Sequence, residues 1–180
     1  MNIASIETIT APAVSEADVS ALADRLELTA DTGAGDTSLL TSIFAQALDA
    51  VERHCSRYFR PRTLALTASA DADDVAVLAV NPFRGVTSVT LNGAAVADYT
   101  VSPVPGGAEV RFSRPVTGTV VFTVSAGPST DAAMPPAAMA AVLAVACDLY
   151  EHREAQSEVS LTENRTLRFV LAGITDYCCG

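Results

Sequence analysis

The two histidines, His54 and His152, and the four cysteines, Cys55, Cys147, Cys178 and Cys179, are the side chains best suited to metal or nucleophilic chemistry in this sequence. Each histidine has a carboxylate beside it, Glu52 near His54 and Glu151 next to His152, but the histidines stand about a hundred positions apart and neither neighbourhood has the spacing of a zinc site. Ligands sharing a helix face need three-or-four spacing, and the pairs Cys147 with Glu151 and Asp148 with His152 do meet it. Such pairs arise routinely on solvated helix faces, so no metal site is assigned. No Gly-x-Ser-x-Gly, no glycine-rich phosphate loop followed by Lys and no His-Glu-x-x-His occurs, which leaves hydrolase, nucleotide and zincin chemistry without a starting residue. The expectation is a protein that is not an enzyme, with no catalytic residue and no cofactor. Adjacent Cys178 and Cys179 are poorly placed to bridge each other, and Asp176 nearby disfavours a thiolate, so reduced thiols are expected.

One basic concentration remains, Arg53, Arg57, Arg60 and Arg62. The first three fall at i, i+4, i+7, which on a helix makes one stripe. Three readings stand: a solvated face beside Asp49 and Glu52, a docking stripe for acidic neighbours across a protein interface, and weak contact with passing DNA.

The rest of the chain is acidic. Its 180 residues hold 11 basic and 21 acidic side chains, for a net charge of -10, which excludes a protein that coats nucleic acid by counterion release. All 11 basic residues are arginine and none is lysine, which together with abundant alanine suits a GC-rich coding sequence. The 49% hydrophobic content includes 32 alanines, so the core is thinner than that fraction suggests. The start, Met1-Asn2-Ile3-Ala4-Ser5-Ile6-Glu7, has neither the basic nor the apolar region of a secretory signal. The uncharged stretch from Ala132 to Cys147 is interrupted by Pro135-Pro136 and falls short of a bilayer span, so synthesis and retention in a cytoplasm, with no membrane partner, are expected.

The elements that must carry these residues follow from periodicity. Residues 1–14 show no sustained period and are expected to form a flexible N-terminal arm. Ser15 with Asp18 is a loose capping box ahead of Val19, Leu22 and Leu26, a short first helix. Leu40, Ile43, Phe44, Ala47, Leu48, Val51, Cys55, Tyr58 and Phe59 recur at helical spacing, predicting a long second helix that runs to Arg60 and stops at Pro61. Period-two stretches then predict about six short antiparallel strands over residues 63–127, with turns at Asn92-Gly93 and Pro105-Gly106-Gly107. Pro135-Pro136 opens a third helix, and Thr162 to Ala172 is expected to form a fourth. The fold class read this way is α+β: a bundle of about four helices (15–62 and 132–172) with an inserted small antiparallel sheet or sandwich (63–127) and a tail at 173–180.

Three strings in this order resemble the phage head-to-tail connector family, also called adaptor or head-completion proteins, of tailed phages and phage-like gene transfer agents. Val51-Glu52-Arg53-His54-Cys55-Ser56-Arg57-Tyr58-Phe59 is similar to that family's helix end before its strands. Asn81-Pro82-Phe83-Arg84-Gly85-Val86-Thr87-Ser88-Val89, with Asp98-Tyr99-Thr100-Val101, resembles its strand entries. Met134-Pro135-Pro136-Ala137 and Leu149-Tyr150-Glu151-His152-Arg153-Glu154 resemble its last long helix. The resemblance spans about residues 15–172, and the tail matches no family pattern. It implies a structural subunit of a dodecameric ring beneath the portal, with a stopper or tail-completion protein below and DNA passing through the lumen without sequence-specific binding. It also implies that the C-terminal segment reaches the portal, which with the arginine stripe makes Arg53, Arg57, Arg60, Leu171, Ile174, Asp176 and Tyr177 the candidate interface residues. The alternatives are another ring-forming tail or neck component and a small ligand-binding β module.

Overall fold

A computed structural model describes residues 1–28, 37–129 and 134–151. Two compact units divide them: one is built from Met1–Pro12 and the described part of Arg57–Ala132, the other from Ala13–Ser56 and the described part of Ala133–Tyr177.

The second of these units is helical. It contains α1 (Glu16–Arg25), α2 (Thr37–Cys55) and α3 (Pro136–Glu151). The capping box read from the sequence forms: the Asp18 amide donates to Ser15 Oγ at 3.2 Å, and the Ser15 amide donates to Asp18 Oδ2 at 2.9 Å. The apolar stripe of α2 is buried from Leu40 through Cys55. Against it α3 buries Ala138, Ala141, Val142 and Ala146, small side chains that let two helix backbones approach closely but contribute little apolar area each. No helix among the described residues is long and apolar enough to cross a membrane.

The other unit is a six-stranded antiparallel sheet. Its strands are β1 (Asn2–Thr10), β2 (Arg62–Leu78), β3 (Phe83–Leu91), β4 (Ala94–Ala95), β5 (Tyr99–Val104) and β6 (Gly107–Ala126). They are ordered β1-β2-β6-β3-β4, with β5 joined to β6 off that path. Along β2 and β6 the even-numbered residues Leu64, Leu66, Ala68, Val120, Phe122 and Val124 are buried while their neighbours are half-buried or exposed, the period-two pattern of a sheet with one apolar face. Asn92-Gly93 turns β3 into β4 with both residues at positive φ (49° and 85°), the geometry of a tight hairpin.

Three expectations are overturned. The architecture is not a four-helix bundle with a small inserted sheet: the described residues form three helices, strand residues outnumber helical ones, and the expected helix at Thr162 to Ala172 lies outside the described residues. Residues 2–10 are not a flexible arm but β1, paired antiparallel with β2 from Asn2↔Ser69 to Thr10↔Thr63. The physical reason is composition, since Ile3, Ile6, Thr8, Ile9 and Thr10 are β-branched and favour a pleated surface even without strict alternation. Finally, β2 and β6 each join two segments that the sequence divides. The Asp71-Ala72-Asp73-Asp74 and Ser113-Arg114-Pro115 stretches carry turn residues, yet they act as bulges inside continuous strands rather than as loops between short ones.

Candidate assembly interface

The predicted arginine stripe does not form as one helical row. α2 ends at Cys55, and Ser56 takes a left-handed φ of 51°, the conformation that closes many helices. Arg53 is left on the last turn of α2, exposed and in an i, i+4 ion pair with Asp49. Arg57 and Arg60 fall beyond the helix, in the sheet unit, where Arg57 is half-buried and Arg60 only 6% exposed. Arg62, also 6% exposed, stacks its guanidinium over the Tyr58 ring at 4.8 Å, a cation–π contact at the start of β2. Cysteine and serine carry no strong stop signal, and Pro61 lies five residues downstream, so periodicity alone overruns the true end. Leu171, Ile174, Asp176 and Tyr177 lie outside the described residues, as do His152, Cys178 and Cys179.

The remaining chemistry-bearing side chains stay dispersed. His54 is exposed at the end of α2 and Glu52 is buried. Among the described residues no three His, Cys, Asp or Glu side chains gather where they could hold a metal ion. Cys147 on α3 is half-buried, and burial pushes its thiol pKa up; the Arg25 guanidinium, which hydrogen-bonds it, pulls the other way, and the Glu151 carboxylate adds to the rise. The result is a thiol short of thiolate, ill suited to nucleophilic work. In the sheet unit an open groove of about 280 Å³ is lined by Leu91, Val96, Asp98, Phe112, Arg114 and Val116 among others. Its ionisable groups, Asp98 and Arg114, are both exposed.

What the sheet unit does present is unpaired edge. β1 flanks the sheet with its outer side unpaired among the described strands, and it holds Ile6 and Ile9 at 51% and 56% exposure, two of the few large apolar side chains left in solvent. At the opposite edge, β3 is covered by β4 only at Thr90 and Leu91. These edge residues were not singled out from the sequence. The β-branched run over residues 3–10 was the available signal.

No family model matches the chain, and no curated protein matches it. Solved structures do. A chain in the neck of an empty gene transfer agent particle, computed with C6 symmetry, superposes with a TM-score of 0.72 at 22% identity, covering 94% of this chain and 94% of that one. This chain shares its fold. A chain in the virion of a native gene transfer agent particle matches with a TM-score of 0.69 at 23% identity over 93% of each chain. A third, in the neck of a native particle computed with C12 symmetry, gives 0.63 at 20% identity over 93% of this chain and 94% of that one. Coverage this complete means that both units and their order along the chain are held in common.

Proposed function

We propose that the chain is a structural subunit of a ring in the neck of a tailed phage or phage-derived gene transfer particle, and that within the neck it is the adaptor. In that position the portal lies above it, a stopper or tail-completion protein below it, and DNA passes through the lumen. The observation that carries the reading is the shared fold across at least 93% of this chain with chains from particle necks of C6 and C12 symmetry. The three strings that resemble the connector family add support independent of the superposition. Val51 to Phe59 spans the end of α2, Asn81-Pro82 leads into β3, Asp98-Tyr99 opens β5, and Pro135-Pro136 opens α3, so the strings fall at element boundaries. A net charge of -10 suits a channel component, because like charge keeps DNA from sticking.

Ring closure requires two different complementary surfaces on one subunit. Arg53 and Arg57 are candidates for one of them against acidic neighbours, each acting from its own unit. The segment containing Leu171, Ile174, Asp176 and Tyr177 is the candidate for the portal side, on the strength of the sequence resemblance. Another ring-forming neck component, six-fold rather than twelve-fold, is the second reading, compatible with the C6 symmetry of one matching neck.

The test is the mass of the full-length protein by light scattering, alone and mixed with a portal complex. A species of twelve 18.6 kDa copies supports the adaptor, and one of six copies supports the second reading. A lasting monomer with no affinity for portal overturns both. A chain shortened before Leu171 should form the same sheet and helices yet lose portal binding, and normal binding would remove the tail from that contact.

A further inference from the structure

We infer that neighbouring copies of this chain join edge to edge through their sheets, the outer edge of β1 in one copy adding to the open edge of β3 in the next. The inference deepens the ring reading and rests on it.

Exposed sheet edges are templates for strand addition, and proteins that must stay apart protect them with Lys, Pro, inward-pointing charge or short edge strands. β1 is lightly protected: it is nine residues long, contains no Lys, Arg or Pro, exposes Ile6 and Ile9, and confines its one charge to Glu7 and its two bulges to the flanks of Ser5 to Thr8. Its stretch from Ser5 to Thr8 pairs regularly with Thr67 to Leu64, between two bulges, so a straight run of backbone is left for a partner on the other side. On β3, residues 83–88 lie outside the short cover that β4 provides, with register shifts against β6 at Phe83/Gly85 and Val86/Ser88, and the next bond along, from the Val96 amide to the Val89 carbonyl oxygen, marks where that cover begins.

Charge selects the pairing. The sole ionisable residue of β1 is Glu7, and the sole one of β3 is Arg84, and both are exposed. A β1-to-β3 ladder sets opposite charges on adjoining strands, whereas β1 against β1 would bring two Glu7 carboxylates to one ladder and β3 against β3 two arginines. Two different edges of opposite sign are what a head-to-tail ring requires. Direction agrees as well. β1, β2, β6 and β3 are antiparallel at each step, so β1 and β3 run in opposite senses within one copy. If the ring axis lies along the strands, rotation preserves those senses and β1 meets the neighbouring β3 antiparallel, the geometry already used throughout this sheet.

The test uses the full chain and charge exchange. Glu7→Arg and Arg84→Glu are made singly and together, and assembly is followed by light scattering against protein concentration, with portal present if the wild type closes its ring only there. Each single variant should raise the concentration needed for half-assembly by about tenfold, and the double variant should recover most of that loss. Ile6→Lys should block assembly while leaving circular dichroism and thermal unfolding unaltered, since Ile6 is half exposed in the single copy. A wild-type ring whose assembly is unchanged in the three single variants, Glu7→Arg, Arg84→Glu and Ile6→Lys, overturns the edge pairing and leaves the ring reading standing. Single variants that weaken assembly without recovery in the double also overturn it, as does a two-fold dimer through β1. A wild type that never assembles, with or without portal, overturns the ring reading itself and this inference with it.

Discussion

Phe112 and Phe122 sit on the same strand, ten positions apart, with their ring centroids at 6.2 Å and their planes at 50°. A straight strand of that length would separate them by about 33 Å. β6 therefore doubles back, and the register shows where: Asp73 faces Val116 but Val75 faces Arg111, so the four residues Phe112–Pro115 stand opposite Asp74 alone. On the partner strand Ala72 takes a φ of 55° at the same level. One hydrogen-bonded sheet thus folds over itself, and Phe112, Phe122, Leu66 and Leu78 enter a single core. Truncating Phe122 to Ala should cost about 3–5 kcal/mol in denaturant unfolding. A double-mutant cycle with Phe112→Ala should return a coupling of about 0.5–1.5 kcal/mol, and strict additivity would mean that the folded-over contact is not made.

Where β2 and β6 meet at the far end of their ladder, the backbone leaves no room for a side chain. A Cβ built on Gly107 would lie 1.9 Å from the Leu78 carbonyl oxygen, a backbone atom that cannot step aside without breaking the β2–β6 ladder. Gly107→Ala should lower stability by about 2 kcal/mol or more. Gly85, in β3, has nothing within 4 Å of the equivalent position, and an alanine there should raise stability by about 0.5 kcal/mol through lost unfolded-state freedom. Thermal unfolding of the two variants side by side measures the contrast, and equal effects would refute the close approach at Leu78.

Asn92 supplies more than turn geometry. Its Oδ1 accepts from the Thr119 amide at 2.9 Å, tying the β3–β4 turn to β6. Asn92→Asp keeps that acceptor but loses the Nδ2 donor to the Thr117 carbonyl oxygen at 3.4 Å, a small loss, whereas Asn92→Ala loses both bonds and puts alanine at a φ of 49°, for a combined loss of about 1–2 kcal/mol. Urea unfolding of both variants checks this, with no difference between them as the contrary result.

These contacts mark what sequence reading could and could not reach. The buried face of α2, the Ser15–Asp18 capping box and the Asn92-Gly93 turn were legible because each depends on residues within a few positions of one another. The long bent strands were not, because Asp71 to Asp74 and Ser113 to Pro115 have the composition of turns, and only pairing across some forty residues makes them bulges. β1 escaped for a similar reason, since its partner β2 begins some fifty residues after β1 ends. The candidate interface depends on the same distinction: periodicity joins the arginines into one stripe although α2 stops at Cys55, and an aperiodic start reads as an arm although it forms the exposed edge with Ile6, Ile9 and Glu7.

Burial and charge around Cys147 set its reactivity. Because the folded thiol holds its proton to higher pH than the unfolded one, the group contributes stability that is complete below the ordinary thiol range and is lost as pH rises through the folded value. Alkylation of Cys147 at pH 8, followed by peptide mass spectrometry, should be slower in the folded chain than in urea. Arg25→Gln removes the one group that lowers the pKa and should slow the folded reaction further. An accelerated reaction would mean that Arg25 chiefly shields the sulfur rather than tuning its proton.

The end of α2 offers the sharpest local test, because a single dihedral separates the expected stripe from the observed break. Ser56 carries a side chain in the left-handed region, where Cβ crowds the following carbonyl at a cost of about 1 kcal/mol. Its amide donates to the Arg53 carbonyl oxygen at 3.3 Å, a closing turn rather than a continuing one. Ser56→Gly should therefore stabilise the protein by about 0.5–1 kcal/mol, and Ser56→Val should destabilise it by more than that, since branching at Cβ adds to the clash. Were α2 to continue to Arg60, the order would invert: glycine inside a helix would cost about 1 kcal/mol and valine less. Unfolding free energies of the two variants decide between a chain that turns at Ser56, leaving Arg53 and Arg57 on separate units, and one that presents Arg53, Arg57 and Arg60 as a single stripe.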